Sequence, residues 1–297
     1  MYRGLEKRKL GNTGNGVTFI GFGALEIGRD WGLGNDAERS RPDEQSACIV
    51  LNGVLDLGIN LIDTARAYHK SEERIGKCIS SRRAEYFLAS KCGEHSDEPG
   101  TYYDFSYKAV KDSIDYSLKM LKTDCIDLMQ IHFGPNPQKV LDDGETVAAM
   151  KDAQREGKIR FLGASAGGDI ARQCIKSGDF DVMQMEYNLI NRSDEKLIEL
   201  CGQKGIGVLI RGGLAAGRLT SRVIPHLSED ISDKQEIMRL LALVDNDGDK
   251  LAAMALAFLY SNPNISSVIL GSKNLDHVRR NFDLLEQGID QNLLARL

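Results

Sequence analysis

The sequence predicts an α/β protein: a single (β/α)8 barrel over residues 1–297, with an N-terminal β-hairpin closing the barrel floor. Three observations predict it. Eight short apolar runs of strand type alternate with segments of helical period, and that alternation makes a parallel sheet. The eight units fill the chain without a linker or low-complexity tract, and eight such units suit a closed barrel. The rival, a doubly wound open sheet, usually carries a G-x-G-x-x-G turn after its first strand. Here that strand leads into GFGALEIG, whose third glycine lies too far along.

The elements follow in order. Lys7, Arg8 and Lys9 form a solvated basic face, and the Asn/Gly-rich turn after them predicts the hairpin. The strand-like runs are 17–22, 60–62, 86–89, 125–131, 159–164, 180–183, 207–210 and 267–270. Between them, Val110, Ile114, Leu118 and Leu121 repeat at helical spacing. The segment 194–204 starts after Ser193, a predicted N-cap, and stops at Gly205. Helical segments 145–155 and 169–176 stop at Gly157 and Gly178. The apolar run 251–260 reads as a buried outer helix. Three stretches exceed ordinary connections: 24–43, 93–106 and 211–234. In a barrel they lie at the C-terminal mouth, where sites are built.

Composition narrows the function. A net charge of −5 argues against a nucleic-acid partner. No apolar run approaches the ~20 residues of a membrane span, and the N-terminus lacks the apolar core of a signal peptide. The six cysteines show no CxxC pair and no metal-ligand spacing. They read as free thiols in a reducing compartment, hence a cytoplasmic location. Cys92, beside Lys91, is expected to be more exposed than the others. His95, His226, Tyr102, Tyr103 and Phe105 read as loop packing.

Strand-like runs here end repeatedly in polar side chains: Asp63, Lys91, His132, Ser165, Gln184 and Arg211, with Gly271–Ser272 ending the last. Burying unpaired charge costs several kcal/mol, so repeated polar endings need a reason. Parallel strands in a barrel bring all of them to one mouth. Tyr68 follows Asp63 in a loop. An ammonium beside a phenol favours phenolate, and a carboxylate behind the ammonium holds it charged. That combination predicts a tyrosine able to exchange a proton near neutral pH. A neutral histidine beside it can donate to a carbonyl oxygen. This chemistry suits carbonyl reduction by hydride from a bound cofactor.

The stretches RKLGNTG…IGFG, GINLIDTARAY–SEERIGK, LASKCG, IDLMQIH, REGKIRFLGAS, MQMEYN and ILGSKNLDHVRRNF, in this order, resemble the aldo-keto reductase family over nearly the whole chain. The resemblance implies Tyr68 as proton donor, Lys91 and Asp63 as its tuning pair, and His132 as carbonyl orienter. It implies Ser165 and Gln184 at the nicotinamide amide. Gly23, Arg211, Gly212, Leu214 and Gly217 then line the nicotinamide and pyrophosphate, and Gly271, Lys273, His277 and Asn281 surround the adenosine end. Lys273 suits the 2′-phosphate of NADP, so NADP(H) is the expected cofactor and NAD(H) the alternative. The GSKN segment also opens a predicted helix, whose free N–H groups favour anions. Trp31 and His69 are expected in the substrate pocket, and the partner is a small-molecule carbonyl compound.

Four departures from the family pattern stand out. GASA replaces G-x-S-N, so Ala166 stands where relatives place asparagine. YHKSEE replaces Y-G-x-S-E, which puts His69 beside Tyr68. Arg211 takes the place of a stacking aromatic residue, and Gly212, Gly213 and Leu214 replace S-P-L, predicting a more mobile loop. Two other functions fit fewer residues: a Schiff-base lyase or aldolase using Lys91, and a non-catalytic nucleotide-binding or redox-sensing subunit. The sequence fixes neither the substrate nor whether the chain is a monomer or a homo-oligomer.

Overall fold

Strands covered on both faces read as continuous apolar stretches, because neither face meets water. The computed structural model describes residues 2–32, 34–288 and 293; Leu33, within the long stretch 24–43, lies outside them. Its strands are β1 (Lys7–Lys9), β2 (Gly16–Thr18), β3 (Ile20–Gly23), β4 (Leu61–Asp63), β5 (Phe87–Cys92), β6 (Glu94–Asp97) and β7 (Gly100–Tyr103), followed by β8 (Ile126–His132), β9 (Ile159–Ser165), β10 (Val182–Glu186), β11 (Gly207–Arg211) and β12 (Ser267–Gly271). In chain order, β3, β4, β5 and β8 to β12 close into a parallel barrel, with β12 pairing β3. This is the α/β barrel the alternation predicts.

The hairpin β1–β2 pairs Lys7 with Thr18 and Lys9 with Gly16. It sends Leu10 and Val17 into the barrel interior, against Leu61, Phe87, Leu128, Val182 and Leu209. Full burial of one such aliphatic side chain contributes ~1.5–3 kcal/mol, so the hairpin is a plug for the floor. One predicted strand, 17–22, is in fact two. Thr18 N–H donates to Asn60 Oδ1 and Thr18 Oγ1 donates to the Ile20 carbonyl. These bonds turn the chain from the hairpin sheet into the barrel. The stretch 93–106 also carries an unpredicted hairpin, β6–β7.

Helices cover the barrel outside. The helix Tyr107–Leu121 buries Val110, Ile114 and Leu121, is capped by Ser106 Oγ accepting from Ala109 N–H, and ends at left-handed Lys122. Asp194, not Ser193, occupies the N-cap of the helix Glu195–Lys204. Its carboxylate accepts from Gly168 N–H instead of capping its own helix. In the helix Ser71–Cys78, Gly76 packs against the end of the neighbouring helix, where an added Cβ would overlap the Met120 carbonyl oxygen. Gly76→Ala is therefore expected to cost ~1–3 kcal/mol by overpacking. Urea unfolding would show this as a lower midpoint at constant slope; an unchanged midpoint would mean the two helices separate freely.

Two expectations are corrected. Cys48 and Cys78 form a disulfide across the helices Glu44–Asp56 and Ser71–Cys78. They lie 30 residues apart in sequence, a distance that spacing rules do not flag. The other four cysteines are free, so a reducing compartment no longer follows from six free thiols. Cys92 is buried, and that burial pushes its thiol up to about 12. The long stretch after β11 also has a core of its own. Leu219 and Val223 are buried with Leu189, Ile237, Leu240 and Leu251.

Candidate active site

The strand ends converge as parallel register requires. Gly23 pairs with both Asp63 and Gly271, Lys91 with Gln130, His132 with Ser165, Ser165 with Gln184, and Glu186 with Arg211. At their centre lies Lys91, 1% exposed. Its Nζ donates to Asp63 Oδ2 at 2.5 Å, to the Thr64 carbonyl at 2.9 Å and to Tyr68 Oη at 3.3 Å. Asp63 Oδ1 accepts from Gln130 Nε2 at 3.1 Å and from Gln184 Nε2 at 2.9 Å. A buried ion pair persists only when its remaining hydrogen-bonding groups are satisfied, and here they are.

Tyr68 is held by its turn. Tyr68 N–H donates to the Ala65 carbonyl, and Ser71 N–H to the Tyr68 carbonyl. Thr64 Oγ1 donates to Ser71 Oγ, which donates to the Ala24 carbonyl, tying this turn to the end of β3. Electrostatics then sort the protons. Burial alone would lower the Lys91 ammonium, but Asp63 and Tyr68 raise it overall, so it stays charged. Burial pushes the Tyr68 phenol up, against the downward pull of Lys91. The expectation of a phenol poised near neutral pH is therefore corrected: desolvation outweighs the ammonium, and Tyr68 keeps its proton. Burial lowers His132, against the opposing pull of Glu94, and leaves its imidazole neutral.

The cleft above these groups has a volume of about 810 Å³. Asp63, Tyr68, His132, Ser165 and Gln184 line it. Ser165 Oγ donates to Gln184 Oε1 at 3.4 Å, and buried Ala166 donates its N–H to the Gln184 carbonyl. Gly23, Arg211, Gly212, Leu214, Gly217, Gly271, His277 and Asn281 also line the cleft. Arg211 pairs with Glu186 at 2.9 Å. Trp31, half exposed, forms part of the wall.

Two expected residues do not line the cleft. His69 has a left-handed backbone and turns Nδ1 to Ser96 Oγ at 2.7 Å, so its place in the substrate pocket is corrected. Lys273 stands just outside, donating to the carbonyls of Glu38 and Ser40 and tying down the stretch 24–43.

Other groups at the site went unpredicted. Gln130 precedes His132 by two positions on β8, so strand alternation could have placed both on one face. Glu94 lies on the unpredicted hairpin, 2.8 Å from His132 Nδ1, and had no sequence signal. Glu26, Arg29, Arg222 and Arg280 also line the cleft from loops and an outer helix.

Polar and charged groups gathered where parallel strands end define the chain as an enzyme-type (β/α)8 barrel. More particularly, it belongs to the Aldo/keto reductase family, whose family-wide pattern matches residues 19–297, and it is an oxidoreductase of that family. It is 31% identical over 313 residues to L-galactose dehydrogenase of Arabidopsis thaliana, covering 99% of this chain and 93% of that protein. It is 25% identical to the NADH-specific methylglyoxal reductase of Escherichia coli, covering 95% of this chain and 94% of that protein. Among solved structures, an aldo-keto reductase of Bacillus halodurans in its holo form superposes with a TM-score of 0.83 at 28% identity, covering 98% of this chain and 95% of that one. No helix among the described residues is long and apolar enough to cross a membrane.

Proposed function

We propose that the protein interconverts a small aldehyde or ketone and its alcohol with a nicotinamide dinucleotide, NADP(H) in preference to NAD(H). The observation that carries this reading is the Lys91 ammonium bonded at once to the Asp63 carboxylate and the Tyr68 phenol. The cleft fits an extended dinucleotide. Gly23, Gly212, Gly217 and Gly271 are on its lining, and a Cβ on Gly271 would crowd the Gly23 carbonyl at 3.2 Å. Its lining carries Arg222 and Arg280, Arg280 being paired with Asp249, and Arg222 and Lys273 act on Glu26. Ser165 and Gln184 would hold the nicotinamide amide. Arg211, Gly212, Leu214 and Gly217 would hold the middle of the molecule, and Lys273, His277 and Asn281 the adenosine end. The bound nucleotide supplies or takes a hydride.

The chain's own residues handle the proton. Tyr68 presents its phenolic hydrogen to the substrate oxygen, and Lys91 stabilises the negative charge left when that hydrogen departs. Asp63 holds Lys91 charged and in place, and His132 borders the same oxygen. The Schiff-base alternative needs a neutral amine open to substrate. Lys91 is buried, charged and fully hydrogen-bonded, which disfavours it. A nucleotide-binding subunit without catalysis would have no use for the complete proton-handling set.

Titration with NADPH and NADH by cofactor fluorescence, followed by a panel of aldehydes and ketones, tests the reading. Nucleotide binding with oxidation on addition of a carbonyl compound is expected; binding with no turnover of any compound would favour the non-catalytic subunit. Lys273→Met is expected to weaken NADPH binding about tenfold more than NADH binding, the worth of one charge-assisted contact. Equal losses would show that Lys273 does not read the 2′-phosphate and serves only the stretch 24–43.

A further inference from the structure

Arg29 lines the cleft, and its side chain makes no hydrogen bond, ion pair or ring contact among the described residues. Other arginines of the lining are engaged: Arg211 with Glu186, Arg218 with Asp233 and Arg280 with Asp249. The Arg29 backbone is nonetheless pinned. It follows the short helix Leu25–Gly28, and its N–H donates to the Leu25 carbonyl. On one side the Gly28 carbonyl accepts from Arg41 Nη1 at 3.0 Å and from Lys70 N–H at 3.2 Å. On the other, Trp31 N–H donates to the Arg39 carbonyl at 2.8 Å. A Cβ on Gly28 would overlap the Tyr68 carbonyl oxygen, so this segment lies against the turn that carries Tyr68.

The neighbours of Arg29 identify the part of the cleft it serves. Its charge acts on Glu94 and Tyr103 of the hairpin β6–β7 and on His69, beside Tyr68 in sequence. Arg222 acts instead on Glu26 and His277. Arg29 therefore belongs with Tyr68, and half-exposed Trp31 follows two residues on. Glu94 is only 7% exposed, and its Oε1 accepts from Thr101 Oγ1 at 2.7 Å. Of these two charges, the guanidinium is the one open to a ligand. A guanidinium presents a planar fork of N–H donors that matches a carboxylate through two parallel hydrogen bonds. One positive charge, with the Glu94 carboxylate nearby, suits a monoanion better than a phosphate dianion.

We propose that Arg29 binds a carboxylate carried by the substrate, so that the protein selects aldehydes and ketones, or the matching alcohols, that are also carboxylic acids. The proposal rests on the carbonyl–alcohol reading and names a substrate class for it. The reacting oxygen meets Tyr68, the carboxylate meets Arg29, and Trp31 offers an apolar wall to the chain between them. Arg29 supplies binding and orientation and takes no part in proton or hydride transfer. It discriminates because a neutral analogue leaves its N–H groups without the anion they are set to hold.

Trp31 is the only tryptophan in the chain, so its emission reports on the neighbourhood of Arg29. The unliganded protein is titrated with butyrate and with butyramide, which differ in charge but hardly in size. Butyrate is expected to change the emission saturably at a concentration about 10–100-fold lower than butyramide, the worth of a charge-assisted contact. Arg29→Gln is expected to erase that difference, and Arg29→Lys, which keeps the charge without the fork, to retain part of it. In kinetics at saturating nucleotide, the ratio of kcat/KM for succinic semialdehyde to that for its amide is expected to fall by the same factor in Arg29→Gln, chiefly through KM. An emission that responds to butyrate and butyramide alike, or to neither, would overturn the proposal, as would a preference that survives Arg29→Gln. Tighter binding of butyl phosphate than of butyrate would overturn the carboxylate assignment. Failure of the carbonyl–alcohol reading shows separately, as absent nucleotide binding or turnover of no carbonyl compound, while the emission titration still reads Arg29.

Discussion

Tyr68→Phe is expected to lower kcat by about 10²–10⁴-fold, the usual worth of a positioned proton-transfer group, while nucleotide affinity changes less than about twofold. The change deletes one oxygen. The ring keeps its place because the turn is held by backbone bonds and by the Thr64–Ser71–Ala24 chain, none of which uses the phenol. The lost group is a phenol that burial keeps protonated and that Lys91 Nζ approaches to 3.3 Å. Fluorescence titration and steady-state kinetics on the same preparation separate the two effects. A variant that keeps most of its kcat would remove Tyr68 from the chemistry.

Lys91→Met is expected to lose activity and also ~3–5 kcal/mol of stability, the cost of leaving one buried charge without its partner. Asp63 is 4% exposed and would retain only the amide hydrogens of Gln130 and Gln184. The double variant Lys91→Met/Asp63→Leu is expected to recover much of that stability without recovering activity, since no charge is stranded. Urea unfolding measures both. A loss under about 1 kcal/mol in the single variant would show that water reaches Asp63, contrary to its burial.

Both predictions concern residues that the sequence made visible, and the reason is periodic. Apolar runs that end in Asp63, Lys91, His132, Ser165 and Gln184 are an anomaly in any buried strand, and a parallel barrel turns that anomaly into one site. The strands proved longer than the apolar runs because they continue through those polar residues, as β8 does to His132 and β11 to Arg211. What escaped notice has a different physics. The Cys48–Cys78 bridge depends on the separation of two helix faces, which no local pattern encodes. Glu94 reaches His132 through a hairpin whose strands are mostly polar and carry no apolar alternation. The downward pull of Lys91 on Tyr68 was foreseen, but its opponent, desolvation, depends on how deeply a loop is packed. His69 beside Tyr68 in sequence turns away because its left-handed backbone directs the ring to Ser96.

The central claim is hydride transfer at the mouth of this barrel, with Tyr68 and its buried partners managing the proton. The most direct measurement follows the hydrogen itself. NADPH carrying deuterium at its transferable position is incubated with a carbonyl compound that the enzyme turns over, and the product alcohol is analysed by mass spectrometry and NMR. The account predicts one deuterium on the carbinol carbon of each product molecule. Deuterium retained in the nucleotide, together with a substrate adduct trapped on Lys91 by borohydride, would contradict it.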